Sequence, residues 1–311
     1  MARLAKGCFG VARATRPLLD LLQERFPDSS KATIRKMLQS DRVRVNGAPA
    51  RDAKRPITAG DSVDIAAKSE RLDPRVRILF EDADLIVVDK AEGLLTVPSV
   101  KVRHETAETF LNEYLGGRHG ETRIHHVHRL DRDTSGVLVF AKNTYVRDRL
   151  QELFAAHDID RVYVAIVHGN LREATGTFRS FVAEDGEIRV RSVAGAAQGK
   201  EAITHYRTTA SGHRYSILEL TLETGRRNQI RVHLAEAGHP VVGDTMYGKG
   251  SDNELGRLGL HAKHLGFVHP RGGRKVAFTA DVPRSFHDLR LGGTTLPPPV
   301  PSRPRGRSGS P

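Results

Sequence analysis

The residues best equipped for chemistry lie in the run His128-Arg129-Leu130-Asp131-Arg132-Asp133-Thr134-Ser135-Gly136. It sets a carboxylate among basic and hydroxyl groups directly before an apolar stretch, residues 137–141, that reads as a strand. Such a mixture builds a site and not a core, because charged groups are costly to bury without partners. The chemistry on offer is that of a carboxylate, acid–base or nucleophilic. Taken alone, an Arg-Leu-Asp triplet is more often a surface salt bridge. A nuclease or glycosidase would want paired carboxylates, and Asp133 is the only close candidate partner for Asp131. The histidines tempt a metal reading, since His125, His126 and His128 cluster and His233 and His239 fall in a second polar run. Zinc sites draw on cysteine, or on histidines at helical i, i+4 spacing with a carboxylate, and the sequence has neither arrangement. No metal and no cofactor is expected.

The run around Asp131 resembles the catalytic-aspartate motif of the RluA-type pseudouridine synthases, enzymes that rearrange uridine within RNA. Four further stretches extend the resemblance. Thr224-Gly-Arg-Arg-Asn-Gln-Ile-Arg-Val-His-Leu-Ala-Glu-Ala-Gly-His-Pro-Val-Val-Gly-Asp-Thr-Met-Tyr-Gly248 is similar to the family's third motif. The resemblance implies that its Arg231 pairs with the catalytic aspartate. Asn228 stands where the family commonly has histidine, which is expected to weaken a secondary hydrogen bond. Arg161-Val-Tyr-Val-Ala-Ile-Val-His-Gly169 contains Tyr163 at the position of the tyrosine that stacks on the flipped base, with Arg161 in place of the commoner lysine. Ile78-Leu-Phe-Glu-Asp-Ala-Asp-Leu-Ile-Val-Val-Asp-Lys-Ala-Glu-Gly-Leu-Leu95 resembles the opening strands of the catalytic domain, with Ala91 for the usual proline, and Leu260-His-Ala-Lys-His-Leu-Gly-Phe-Val-His-Pro270 resembles its closing segment.

The resemblance implies Asp131, Tyr163 and Arg231 as catalytic residues. It also implies that Arg129 enters the RNA and fills the space of the extruded uridine, offsetting part of the unstacking cost; a structural salt bridge is the other reading of Arg129. Pseudouridine formation breaks the bond from uracil N1 to the ribose, turns the bound base and rejoins it through C5, with no redox change. Asp131 would attack the anomeric carbon or remove the ribose 2′ proton, and the sequence leaves both open. Either role needs an ionised carboxylate, so a paired guanidinium is expected to hold it charged. A sister group acting on small-subunit rRNA typically has glycine before Arg-Leu-Asp, so His128 and the Thr134-Ser135-Gly136 run favour the RluA type. A non-catalytic RNA-binding factor that kept the fold would have lost Asp131, Tyr163 or Arg231, and all three are present.

Ahead of this region, residues 13–68 read as a separate module. Leu18, Leu19, Leu22 and Phe26 recur at helical spacing after Pro17, and Pro27-Asp-Ser-Ser30 ends that helix and caps another carrying Ile34, Met37 and Leu38. Val43-Arg-Val45 then runs into Asn46-Gly47, a strong hairpin signal, and Val63-Asp-Ile65 reads as a further strand. Ser30-Lys-Ala-Thr-Ile-Arg-Lys-Met-Leu-Gln-Ser-Asp-Arg-Val-Arg-Val-Asn-Gly47 resembles the alpha-L RNA-binding domain of ribosomal small-subunit protein four. The module carries 12 basic against 7 acidic residues, and Lys31, Arg35, Lys36, Arg42 and Arg44 are the candidate phosphate contacts; a solvated charged face is the plainer alternative.

The chain as a whole agrees with an anionic partner. Its 311 residues carry a formal charge of +12, and Lys and Arg near phosphate bind with counterion release. Apolar runs fall far short of the roughly 18–20 residues of a membrane span, and Cys8 is the only cysteine, which fits a reducing compartment. The N-terminus is basic, with no apolar stretch long enough for a secretory signal and without the serines of transit peptides. Strands outnumber helices without regular alternation. The expected fold is therefore α+β, a small alpha-L RNA-binding domain before a catalytic domain with a mainly antiparallel or mixed sheet. The expected organisation is a basic arm over 1–12, the RNA-binding domain over 13–68, a linker over 69–75, the catalytic domain over 76–290 and a disordered Pro/Arg-rich tail over 291–311. The expected partner is RNA, large-subunit rRNA first and tRNA second, for a monomeric cytoplasmic enzyme.

Overall fold

The computed structural model describes residues 7–10, 15–27, 29–39, 43–65, 72–100, 102–118, 123–185, 189–248 and 253–288. The chain divides into two units, one built on residues up to 72 with 113–121, the other on 73–112 and from 122 onward. Among the described residues no helix is long and apolar enough to cross a membrane. The tail over 291–311, Arg42, residues 69–71 of the linker and the side chain of Lys36 lie outside the described residues.

The first unit runs β1 (Gly7–Gly10), β2 (Arg16–Pro17), α1 (Leu18–Arg25), α2 (Lys31–Gln39), β3 (Val43–Val45), β4 (Ala48–Pro49), β5 (Pro56–Ile57) and β6 (Ser62–Ile65). Leu18 and Leu22 of α1 bury against Ile34, Met37 and Leu38 of α2 and against Val43, Val45 and Val63 of the sheet. Ser30 starts α2 as expected, its hydroxyl accepting from Thr33 N–H at 3.1 Å. Asn46 and Gly47 both have positive φ, 53° and 78°, the geometry that lets β3 turn back into β4 with the strand twist intact. The arm expected over residues 1–12 needs correction, because residues 7–10 form a strand paired antiparallel with β6. Joining that edge pairs backbone groups that a free arm would leave to water.

The second unit contains β7 (Val76–Glu81), β8 (Leu85–Lys90), the first half of α3 (Ala107–Arg118), whose residues from 113 on count with the first unit, β9 (His125–His126), β10 (Ser135–Ala141), α4 (Thr144–Ala155), β11 (Asp160–His168) and β12 (Thr175–Asp185). It continues with β13 (Arg189–Val193), β14 (Lys200–Ser211), β15 (Tyr215–Leu222), α5 (Gln229–Glu236), β16 (Leu260–Val268), β17 (Lys275–Thr279) and α6 (Arg284–Asp288). One mixed sheet takes the order β13-β12-β14-β15-β11-β16-β10-β8-β7, with β9 and β17 as side pairings. Every pairing in it is antiparallel except β10 with β16. This is the mixed sheet expected.

β10 is buried along its whole length, which explains its unbroken apolar run. Val146 and Leu150 of α4 cover one face of it, and Asn143 caps that helix by accepting from Val146 N–H at 2.9 Å. β10 and β16 approach so closely that a Cβ on Gly136 would stand 2.1 Å from the Ala262 carbonyl oxygen. Only glycine fits there, and its φ of 116° belongs to the region glycine alone occupies freely. The parallel pair thus fixes the direction in which the segment before β10, containing Asp131, enters the sheet.

Candidate active site

Asp131 sits in the loop between β9 and β10, and that loop is held from three sides. The Thr96 hydroxyl donates to Leu130 O at 2.9 Å and accepts from Leu130 N–H at 3.1 Å. Lys90, fully buried, donates from Nζ to Leu94 O at 2.8 Å, Ala91 O at 2.9 Å and Arg132 O at 3.1 Å. Burial pulls the Lys90 ammonium down to about 7, while the charges of Asp131, Asp133 and Glu92 oppose that pull. Beyond the loop, Ser135 Oγ lies 2.8 Å from His261 Nδ1 and accepts from Arg257 Nη2 at 2.6 Å. Lys90 passed through the sequence reading without a role; a lysine ending an apolar strand was its only signal.

Asp131, Tyr163, Arg129 and Arg231 line one cavity of about 230 Å³. Tyr163 comes from β11, where the register with β16 shifts between Val162 and Tyr163. Burial raises the Tyr163 phenol, Arg161 opposes and Asp131 adds to the rise, so the ring stays neutral at physiological pH. Arg129 is exposed at the cavity. Lys31 and Arg35, both exposed on α2, and Arg44, exposed on β3 and donating to Gly47 O at 3.2 Å, belong to the first unit.

Arg231 projects from α5 and does pair with Asp131, Nη1 to Oδ2 at 3.5 Å. Its closer partner is Asp244, which takes Nε at 2.7 Å and Nη2 at 2.8 Å in a two-pronged bond. Asp244 is itself wholly buried and also accepts from Met246 N–H and Tyr247 N–H. With that edge occupied, Nη1 is the corner left for Asp131, and it also donates to Asn228 Oδ1 at 3.0 Å. Asn228 therefore does more than tolerate a departure from the family pattern. It accepts from Arg231, donates from Nδ2 to Tyr247 Oη at 3.1 Å, and holds a left-handed φ of 52° that asparagine adopts more easily than most residues. Asp244 was missed by the sequence reading, although it is the only acid between Glu236 and Asp252.

The electrostatics of Asp131 differ from expectation. Burial, the largest effect, pushes its carboxyl above the ordinary carboxylate range, and Arg231, Arg129 and Arg227 pull it back only in part. The same burial works against the Arg231 cation, but Asp244 and then Asp131 overcome it and hold the guanidinium charged. The result is a desolvated carboxyl group with one fixed cation beside it and a neutral phenol sharing its cavity, an arrangement suited to nucleophilic or general-base chemistry.

The sequence profile of the RNA pseudouridylate synthase family matches residues 84–236. The chain belongs to that family and is an isomerase of uridine in RNA. An S4 domain, the alpha-L module of the first unit, matches residues 16–63. Among its relatives, an uncharacterized RNA pseudouridine synthase of Bacillus subtilis, YhcT, is 39% identical over 68% of this chain and 70% of its own length. Ribosomal large subunit pseudouridine synthase D of Escherichia coli is 33% identical over 86% of this chain and 87% of its own. Of solved structures, human RNA pseudouridylate synthase domain containing 4 superposes with a TM-score of 0.58 at 25% identity, over 71% of this chain and 94% of that one.

Proposed function

We propose that this protein converts specific uridines of large-subunit rRNA to pseudouridine, with Asp131 performing the chemistry, Tyr163 stacking on the flipped base and Arg231 holding the aspartate. The observation that carries the reading is the meeting of Asp131 and Arg231 at 3.5 Å in one cavity that Tyr163 also lines. That cavity is smaller than the roughly 300–1,000 Å³ of ordinary ligand sites, in keeping with a single extruded nucleotide. Arg129 lines it from an exposed position, suited to the space the uridine vacates in the RNA. The choice of rRNA leans on the relatives that carry the large-subunit name. Carbodiimide mapping of pseudouridines in total RNA, from cells with and without the protein, tests the target. Loss of sites in large-subunit rRNA is the expected result; loss in tRNA alone would move the substrate there.

The S4 domain is proposed to supply phosphate contacts through Lys31, Arg35 and Arg44 beside Lys36 and Arg42. Lys31→Gln with Arg35→Gln is expected to lower the slope of log affinity against log salt by about 2, since each phosphate contact contributes nearly one. Filter binding across a salt series checks this, and an unchanged slope would make α2 a merely solvated face.

A raised Asp131 also sets the pH dependence. The carboxyl must be ionised to act, so kcat/KM is expected to fall on the acid side at a pH above the ordinary aspartate value of about 3.9. Arg231→Gln, by removing the nearest cation, moves that limb to higher pH. A limb at or below the ordinary value in the wild type would contradict the dominance of burial.

A further inference from the structure

The cavity at Asp131, about 230 Å³, has room for little more than one nucleotide, yet a uridine in RNA is joined to neighbours on both sides. At least one of them must leave past a wall of the site. The wall made by Gly225, Arg226 and Arg227 has a second cavity behind it, about 460 Å³, that shares Glu184 and those three residues with the first. Its other lining is of two kinds. Val182 and Val190, both buried and on the same face of the β12–β13 pair as Glu184, supply an apolar floor, and Lys200 adds a third cation near the divide.

The divide itself is built and not incidental. Gln229, the first residue of α5, accepts from Arg226 N–H at 3.0 Å and from the Thr224 hydroxyl at 2.8 Å, and its amide donates to Ile203 O and Thr204 Oγ1. Arg226 Nε donates to Glu201 O at 3.0 Å, which fixes its side chain between the two spaces. Glu184 lies 3.6 Å from Arg227, an anion resting beside a cation of the divide. That carboxylate is 60% exposed, so the pair is weak and an incoming anion displaces it at little cost.

We propose that this second cavity is the subsite for the nucleotide adjoining the isomerised uridine, its base on the floor made by Val182 and Val190 and the linking phosphate at Arg226 and Arg227 in place of Glu184. The proposal rests on reading the Asp131 cavity as the uridine site, and it makes recognition depend on the neighbouring base and not on the uridine alone.

The test uses the full-length protein and RNA hairpins with one loop uridine, taken from a mapped site where there is one. Each hairpin is made intact, or with the base but not the phosphate removed from the 5′ or the 3′ neighbour. Affinity and the initial rate of pseudouridine formation are both measured. Wild type is expected to bind one of the two abasic RNAs about tenfold more weakly, the scale of one lost base contact. Val190→Phe, at a residue that lines the second cavity and not the first, should weaken intact RNA by a similar factor and add nothing to the loss with that abasic RNA. Glu184→Gln should tighten binding to all three. Lys200→Gln, an exposed substitution that spares the floor, should weaken all three alike.

Equal wild-type affinity for the three RNAs would overturn the subsite, as would losses from Val190→Phe that multiply with the missing base. Should Val190→Phe fail to fold by its melting curve, the wild-type abasic comparison with Glu184→Gln and Lys200→Gln decides. Neighbour-dependent affinity without any pseudouridine would sink the uridine reading and leave a nucleotide subsite. Pseudouridine formed with indifference to neighbours would sink the subsite alone.

Discussion

Asp131→Asn melts at the same temperature as the wild type or higher at neutral pH, and it keeps its RNA affinity. The folded protein holds this carboxyl above its unfolded value because burial outweighs the nearby arginines. A carboxylate whose folded pKa is raised costs stability once it is ionised, so the wild type bears the full cost above the folded pKa. The cost fades as pH falls, and below the unfolded value of about 3.9 both states are neutral and none is left. Asparagine removes the charge, keeps the shape and leaves Arg231 paired with Asp244. The melting advantage of the variant should therefore be largest at neutral pH and vanish in acid. A variant that melts well below the wild type at pH 7 would mean that Asp131 serves the fold and that its burial is compensated.

Asp244→Ala should be the more damaging change to the fold, although Asp244 lines neither cavity. It removes a buried carboxylate that accepts two guanidinium bonds from Arg231 and the N–H groups of Met246 and Tyr247. Breaking one partner out of a buried pair costs about 3–5 kcal/mol, because the remaining charge stays in low dielectric without compensation. For a domain of this size that corresponds to a fall of roughly 10 °C in Tm. The freed guanidinium edge also turns Arg231 toward Asp131, its nearest remaining anion, so activity measured below the melting range should fall as the aspartate is drawn into a tighter pair. Calorimetry and initial rates on the same preparation separate the two effects. A variant with wild-type melting would show that Asp131 and Asn228 alone suffice to seat Arg231.

What was legible in the sequence follows from how local each signal is. Asp131 could be found because the carboxylate, its flanking cations and the apolar strand after it are contiguous. The S4 module was legible for the same reason, with Ser30 as a cap and Asn46-Gly47 as a turn inside one short stretch. The partnership of Arg231 with Asp131 came from resemblance, since the two are 100 residues apart and no local pattern joins them. Asp244 escaped because its partner stands 13 residues earlier on a helix that the motif does not announce. The parallel pairing of β10 with β16 was hidden likewise, for it joins Ser135 to His261, and only Gly136 records how closely those strands approach. β12 and β13 went unread because charged and polar residues interrupt their apolar positions, Arg179, Ser180, Glu184 and Asp185 in one and Arg189, Arg191 and Ser192 in the other, as befits the end of a sheet.

The central claim is that Asp131 opens and remakes the bond between uracil and ribose. Rejoining through C5 releases the hydrogen held there, so RNA transcribed with C5-tritiated uridine reports the reaction as tritium appearing in water. Wild-type protein should release tritium with a single-site stoichiometry on its target RNA, and Asp131→Asn should release it at least about 10³-fold more slowly while binding the same RNA equally well. Release by Asp131→Asn at the wild-type rate would contradict the assignment of this carboxylate as the reacting group.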